Sequence, residues 1–276
     1  MPSNREAYFE ALNLDIPKEI VYFALEEINH YNHLELTNHF DEEIKDYSLF
    51  NKAIKRYKNG EMIEYIFNKA YFLGLSFYVD KNVLIPRQET EQLVIRIKEI
   101  IEKEYDHSTF DLADVCTGSG VIGICVKKYF ANANVYLTDI SKEAIRVAKK
   151  NASNHDLNNL FFLEGDMLNP LISNNIRLDV LVCNPPYIEN ENTIDERTWK
   201  QEPHLALLAK PYTFFYEKIL KNLNSVMKNK YLLAFEIGED MEESLTSLLN
   251  KYCPNDNFWF EKDIYGKTRF LFIKHQ

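Results

Sequence analysis

The chain has 276 residues, 46% of them hydrophobic and 13% aromatic, which is enough apolar material for a large core in one or two domains and too much for a disordered chain. Its 42 acidic and 32 basic residues leave a net charge of -10, a poor balance for a protein whose surface binds nucleic-acid phosphates. The four cysteines (Cys116, Cys125, Cys183 and Cys253) form no C-x-x-C pair and no cluster with histidine, so neither a disulfide framework nor a metal site is expected.

The N-terminal stretch is charged from Arg5 onward and has no apolar signal core, and no segment approaches the length of a membrane span; a soluble, cytoplasmic protein is expected. Residues 1–68 have helical grammar and predict a small helical domain. SNRE at 3–6 is a capping-box pattern, Pro17 suits a first helical turn, and IVYFALEEI at 20–28 spaces its apolar residues for one buried face. A further helix is expected from Asp41 to Lys58, closed by Asn59-Gly60. Short alternating runs then follow in AYFLGLSFYVDKNVLIP, punctuated by Gly74 and by Asp80-Lys81-Asn82, and residues 69–88 are read as a β-hairpin linking two domains.

From residue 89 to 276 strands and helices alternate. Strands are predicted at 111–116, 134–139, 160–164, 179–183, 230–237, 257–262 and 268–274, with helices near 90–104, 120–130, 141–153, 212–227 and 239–251. This order implies an α/β fold with a doubly wound, mostly parallel seven-stranded sheet. DIYGK at 263–267 is too short for a crossover helix, so the last two strands should be antiparallel. The polar stretch ENENTIDERTWKQ at 189–201 lacks a period and predicts a mobile loop.

Two stretches carry chemistry. The first predicted strand runs into DVCTGSGVIG, where Gly118, Gly120 and Gly123 satisfy G-x-G-x-x-G, and Asp139 ends the next strand, where a carboxylate can accept from ribose hydroxyls. The pattern is short, and a tight strand-to-helix turn needs the same glycines. The fourth strand ends in NPPY, Asn184 to Tyr187, whose two prolines donate no N–H and stiffen the chain as it leaves the sheet. That segment presents an amide, nearby carbonyls and a tyrosine ring at a strand end. A hydride-transfer site has no evident use for it.

With these residues in place the chain resembles the class I S-adenosylmethionine-dependent methyltransferases, and within them the protein-(glutamine-N5) methyltransferases that act on peptide-chain release factors. The resemblance extends over residues 61–274, in order through EYIF at 64–67, VLIPRQETE at 83–91, DVCTGSG at 114–120, TDIS at 138–141, GDM at 165–167, NPPYI at 184–188, QEPHLAL at 201–207, EIG at 236–238 and DIYGKTRF at 263–270. Departures are Gln88 where a proline is usual, Cys116 where a glycine is common, and Ala209-Lys210-Pro211 where a glycine-containing turn is expected. The resemblance implies a Rossmann-like sheet, S-adenosyl-L-methionine as cofactor, and a release factor as protein partner, recognised in part by the helical domain. A monomer is expected, with no membrane and no stable nucleic-acid partner.

In such a fold Thr117, Gly118, Ser119 and Gly120 would approach the methionine part of the cofactor, Asp139 its ribose, and Asp166 with Met167 its adenine, Asp166 accepting from the amino group. Read blandly, both aspartates instead cap helices or form turns. At the reacting centre, a primary amide nitrogen is a poor nucleophile and must be oriented. The side-chain oxygen of Asn184 and the carbonyl of Pro185 are expected to accept its two hydrogens, with Tyr187 against the amide plane and Pro186 stiffening the corner. Glu202 and Pro203 are expected in the substrate-facing loop, and Arg87, Glu89 and Glu91 to hold the hairpin or line the cofactor mouth, Glu89 and Glu91 being equally well read as the acidic start of the helix at 90–104. The same pocket would suit the exocyclic amine of adenine or cytosine, and the DNA amino-methyltransferases share NPPY; those enzymes need a basic cleft, which this chain does not suggest. A non-catalytic module that keeps the fold and binds a translation partner is the other alternative.

Overall fold

A computed structural model describes residues 1–105 and 108–275. Its contacts divide the chain into two units: Met1–Lys69 with Glu196–Gln201, and Ala70–Asp195 with Glu202–Gln276.

The first unit holds α1 (Asn4–Leu12), α2 (Lys18–Asn29), α3 (His33–Asn38), α4 (Tyr47–Lys58) and α5 (Ile63–Phe67). The capping box is present: Ser3 Oγ accepts from the Glu6 N–H at 3.2 Å, and the Glu6 carboxylate accepts from the Ser3 N–H at 2.8 Å. Pro17 stands just ahead of α2, which buries Val21, Ala24, Leu25 and Ile28 against Phe50, Ile54 and Ile63. The helix expected from Asp41 starts only at Tyr47, capped by Asp46. The backbone of 40–44 is committed elsewhere: Phe40 and Glu42 carbonyls accept from Arg5 and Asn4, and the Ile44 N–H donates to Pro2. Helical bonding of those groups would break that pairing.

The second unit opens with a hairpin of β1 (Ala70–Phe72) and β2 (Leu75–Phe77), shorter than the expected linker, because residues 78–87 run on without strand pairing. After it come α6 (Gln88–Tyr105), β3 (Asp111–Val115), α7 (Val121–Tyr129), β4 (Asn134–Asp139), α8 (Lys142–Asn154), β5 (Leu160–Glu164), α9 (Asn169–Ser173) and β6 (Leu178–Cys183). The chain then forms α10 (Glu196–Gln201), α11 (Phe214–Leu220), α12 (Leu223–Val226), β7 (Met227–Glu236), α13 (Glu242–Tyr252), β8 (Asn257–Lys262) and β9 (Thr268–His275).

Two expectations change here. The stretch read as a loop contains α10, which belongs to the first unit, where the Arg197 guanidinium lies 3.9 Å from the Tyr57 ring centroid. A tertiary cation–π contact of this kind leaves no periodic signature in a six-residue helix. The helix predicted at 212–227 is two helices, since Asn222 turns its side chain back to the Lys218 carbonyl at 2.8 Å and ends the first.

The seven strands lie in the order β5-β4-β3-β6-β7-β9-β8, parallel except for β9, which is antiparallel to both β7 and β8. Alternate strand residues face two cores. Leu112, Val180, Leu232 and Phe270 meet α6, α7 and α8; Ala113, Leu181, Leu233 and Leu271 meet α11, α12 and α13. Each fully buried leucine or phenylalanine contributes about 1.5–3 kcal/mol. Winding starts at β3 and moves outward through β4, then restarts at β6, so the C-terminal ends of β3 and β6 adjoin, with Val115 opposite Cys183. Ligands of open parallel sheets bind at such a reversal. No helix among the described residues is long and apolar enough to cross a membrane.

Candidate active site

The loop after β3 is shaped by backbone that most residues avoid. Cys116, Gly118 and Gly120 have φ of 60°, 53° and 85°, so Cys116 sits in the left-handed region that a glycine enters without strain. The Thr117 N–H donates to the Thr138 carbonyl at 3.0 Å, and the Gly120 N–H to Thr117 at 2.8 Å. A β-carbon on Gly118 would have no heavy atom within 4 Å, since this residue borders a cavity, whereas one on Gly120 would lie 3.1 Å from the Ala148 β-carbon. The first glycine leaves room for a ligand. The second lets α8 approach.

Asp114 supports this loop from inside, accepting from the Thr117 hydroxyl at 2.6 Å and the Gly123 N–H at 2.9 Å. Its Oδ1 is buried without a hydrogen-bond partner among the described residues. Burial pushes the carboxyl up to about 7, against the two hydrogen bonds that lower it. The folded state therefore holds this proton more tightly than the unfolded chain, whose ordinary value is 3.8. The resulting stability is fully present below that value and is lost as pH rises through about 7. Urea titrations of Asp114→Asn from pH 5 to 8 are expected to show a shallower loss of stability with rising pH than the unaltered protein; parallel slopes would show that Asp114 does not titrate in this window.

Asp139 ends β4 and accepts from the Gly118 N–H through Oδ2 and from the Ser141 N–H through Oδ1, each at 2.9 Å. Burial raises its carboxyl above the ordinary range, opposed by the backbone N–H groups of Ser141, Gly118 and Ile140. The side-chain cap of α8 is Ser141, not Asp139. Asp166 pairs with the Lys218 ammonium, an acceptor commitment that sequence reading missed. Met167 is buried, with φ of 51°.

A cavity of about 420 Å³ opens where β3 and β6 adjoin. Thr117, Gly118, Ser119, Asp139, Asp166 and Met167 line it, and so do Asn184, Pro186 and Pro203. Gly120, Pro185, Tyr187 and Glu202 are not among its lining residues. Tyr187 turns its hydroxyl to Glu236 Oε1 at 3.3 Å. Glu202 is buried and accepts from the Ile85 N–H at 3.1 Å and from Arg87 at 2.5 Å, so it anchors the segment that carries Arg87 to the cavity wall. Glu91 accepts from the Leu73 N–H at 2.5 Å and ties α6 to the hairpin. The Asn151 amide of α8 donates to the Ser119 carbonyl at 2.8 Å and to Tyr78 at 2.9 Å, bracing the glycine loop from the other side.

Beneath the NPPY corner Asn184 Nδ2 donates to Thr90 Oγ1 at 3.1 Å, and the Thr90 hydroxyl donates to Glu236 Oε2 at 2.6 Å. Glu236 is fully buried at the end of β7, and burial pushes its carboxyl up to about 6. The chain beyond the corner is pinned as well: the Ile188 N–H donates to Leu207 at 3.0 Å, and the Ala209 N–H to Ile188 at 2.9 Å. A rigid carboxamide, a glycine-lined wall and two carboxylates thus share one cavity. Its volume suits a nucleoside-sized ligand, and the open space over Gly118 with the acceptor capacity of Asp139 fits the S-adenosylmethionine that the family resemblance implies.

Comparison with known proteins identifies similar sequences and similar folds. Residues 97–201 match the family model described as methyltransferase small domain. The release factor glutamine methyltransferase of Mycoplasma mycoides is 31% identical over 269 residues, covering 95% of this chain and 94% of the relative. That of Staphylococcus aureus is 38% identical over 228 residues, covering 82% of this chain and 80% of the relative. Among solved structures, the catalytic domain of hMettl16 in complex with the MAT2A 3'UTR hairpin 1 has a TM-score of 0.60 at 15% identity, covering 95% of this chain and 92% of that one. Ribosomal protein L11 methylase from Lactobacillus delbrueckii has a TM-score of 0.52 at 19% identity, covering 72% and 84%. These two likenesses concern the fold.

Proposed function

The chain belongs to the release factor glutamine methyltransferases, and on that premise we propose that it methylates the side-chain amide nitrogen, N5, of the Gly-Gly-Gln glutamine of a peptide-chain release factor, with S-adenosyl-L-methionine as donor. The observation that carries the reading is the Asn184 carboxamide, fixed at the end of β6 on the wall of the cavity that Gly118 and Asp139 also line.

The cofactor, when bound, supplies a methyl group made electrophilic by its sulfonium. Thr117, Gly118 and Ser119 would pass its methionine part, with Gly120 letting α8 close behind the turn; Asp139 would accept from its ribose hydroxyls, and Asp166 and Met167 would meet its adenine. Each carboxylate oxygen keeps acceptor capacity beyond the bond it already makes. Asn184 Oδ1 and the Pro185 carbonyl would accept the two amide hydrogens of the glutamine, directing its nitrogen at the methyl carbon. Positioning of this kind lowers a barrier by up to about 7–11 kcal/mol in favourable model systems. As the methyl carbon's bond to sulfur breaks, leaving a neutral thioether, and its bond to nitrogen forms, the nitrogen would become acidic and give its proton to water. Tyr187 and Pro186 would hold the corner, and Glu202 would keep Pro203 beside the substrate entrance.

The helical domain of residues 1–68 would recognise the release factor, with residues 69–88 joining it to the methyltransferase domain at 89–276. The setting is the cytoplasm and the working form a monomer; the net charge of -10 favours a protein substrate over nucleic acid. The test is incubation with methyl-labelled S-adenosylmethionine, purified release factor and duplex DNA together. Label is expected on the glutamine of the release factor, and label on DNA with none on protein would overturn the reading.

A further inference from the structure

Thr90, Asn184 and Glu236 come from α6, the end of β6 and the end of β7, and form one hydrogen-bonded chain whose direction is set at its buried end. A carboxylate only accepts hydrogen bonds. Glu236 therefore takes the single hydroxyl proton of Thr90 on Oε2 at 2.6 Å, and that of Tyr187 on Oε1 at 3.3 Å. With its proton so placed, the Thr90 oxygen faces Asn184 as an acceptor, and only the amide NH2 can meet it, as it does at 3.1 Å. The other end of that carboxamide, Oδ1, is left to serve the cavity that Asn184 lines.

We propose that Thr90 and Glu236 are positioning residues that decide which end of the Asn184 carboxamide meets the substrate. The inference rests on the glutamine-N5 reading above and names the groups that make that site selective for an N–H donor. With the carboxamide reversed, its NH2 would confront the amide hydrogens of the glutamine, donor against donor. The charge on Glu236 is what holds the chain in one direction. Glu89 from α6 opposes that charge and Arg269 from β9 favours it, while the Tyr216 hydroxyl donates to the Glu236 backbone carbonyl at 2.7 Å. Replacement by glutamine puts an NH2 donor where one of the two acceptors stood, so nothing then fixes the Thr90 hydroxyl in one direction.

The test compares Thr90→Val, Thr90→Ser and Glu236→Gln with the unaltered enzyme, using purified release factor and labelled S-adenosylmethionine. Thr90→Val is expected to lower kcat about 100-fold, the scale of a misplaced reacting group, with the cofactor dissociation constant and the KM for release factor little changed. Thr90→Ser keeps the hydroxyl and should restore kcat to near the unaltered rate. In the unaltered enzyme kcat should fall as pH drops through about 6, where Glu236 gains a proton and becomes a donor itself; Glu236→Gln, slower throughout, should lack that limb. A Thr90→Val enzyme with normal kcat, a Thr90→Ser enzyme as impaired as the valine variant, or a Glu236→Gln enzyme with normal turnover and an unchanged pH profile would each overturn the proposal. Should Thr90→Val not fold, the serine and glutamine variants carry the same decision. An unaltered enzyme that leaves release factor unlabelled overturns the underlying reading instead.

Discussion

Replacement of Asn184 by alanine is expected to lower methyl transfer to the release factor by about 100- to 1,000-fold, the usual effect of removing one preorganised hydrogen-bonding group from a reacting centre. The side chain lines the cavity, and its NH2 is anchored to Thr90, which leaves its carbonyl oxygen for the substrate. Truncation removes that acceptor and leaves the glutamine nitrogen one contact short of alignment. The fold should persist, because the corner keeps both prolines and the backbone pairing of Ile188 with Leu207 and Ala209. Cofactor affinity, measured by calorimetry, should match the unaltered protein. Turnover that stays near normal in Asn184→Ala would remove the amide clamp from the mechanism.

Asp139→Ala acts on the other partner of the reaction. Hydrogen bonds to a charged group are worth about 1.5–3 kcal/mol each, so the loss of this carboxylate is expected to raise the S-adenosylmethionine dissociation constant about 10- to 100-fold. The substitution also releases the N–H groups of Gly118 and Ser141, which both point at Asp139. Asp139→Asn retains one acceptor for them and should fall between the two. With cofactor raised to saturation, kcat should recover substantially in both variants, since neither touches the glutamine. An unaltered titration for Asp139→Ala would take this residue out of the cofactor site.

Features written in local pattern could be read directly from the residues. The seven strands alternate or run apolar between helices of clear period, and each was placed to within a few residues; the antiparallel final pair followed from the brevity of DIYGK. The NPPY corner and the glycine loop were visible because proline and glycine restrict the backbone wherever they occur. What escaped was settled by contacts between distant residues. Nothing near Asp41 reveals that its neighbours pair with residues 2–5, and nothing in ERTWKQ announces a helix held in the first unit. Thr90 and Glu236 lie 146 positions apart and meet only across the folded sheet. The glutamate nevertheless left a trace, as a lone acid at the end of the apolar run YLLAF, where an unpaired charge would be costly. Glu202 had no such mark, and its burial under the Arg87 segment became evident only in the fold.

The most direct measurement is a crystal structure of the protein with S-adenosylhomocysteine and a peptide containing Gly-Gly-Gln. The thioether sulfur is expected in the cavity bordered by Gly118 and Asp139, with the glutamine nitrogen about 3 Å from Asn184 Oδ1. A glutamine side chain bound away from Asn184, or an Asn184 that turns its NH2 to the glutamine, would contradict the account.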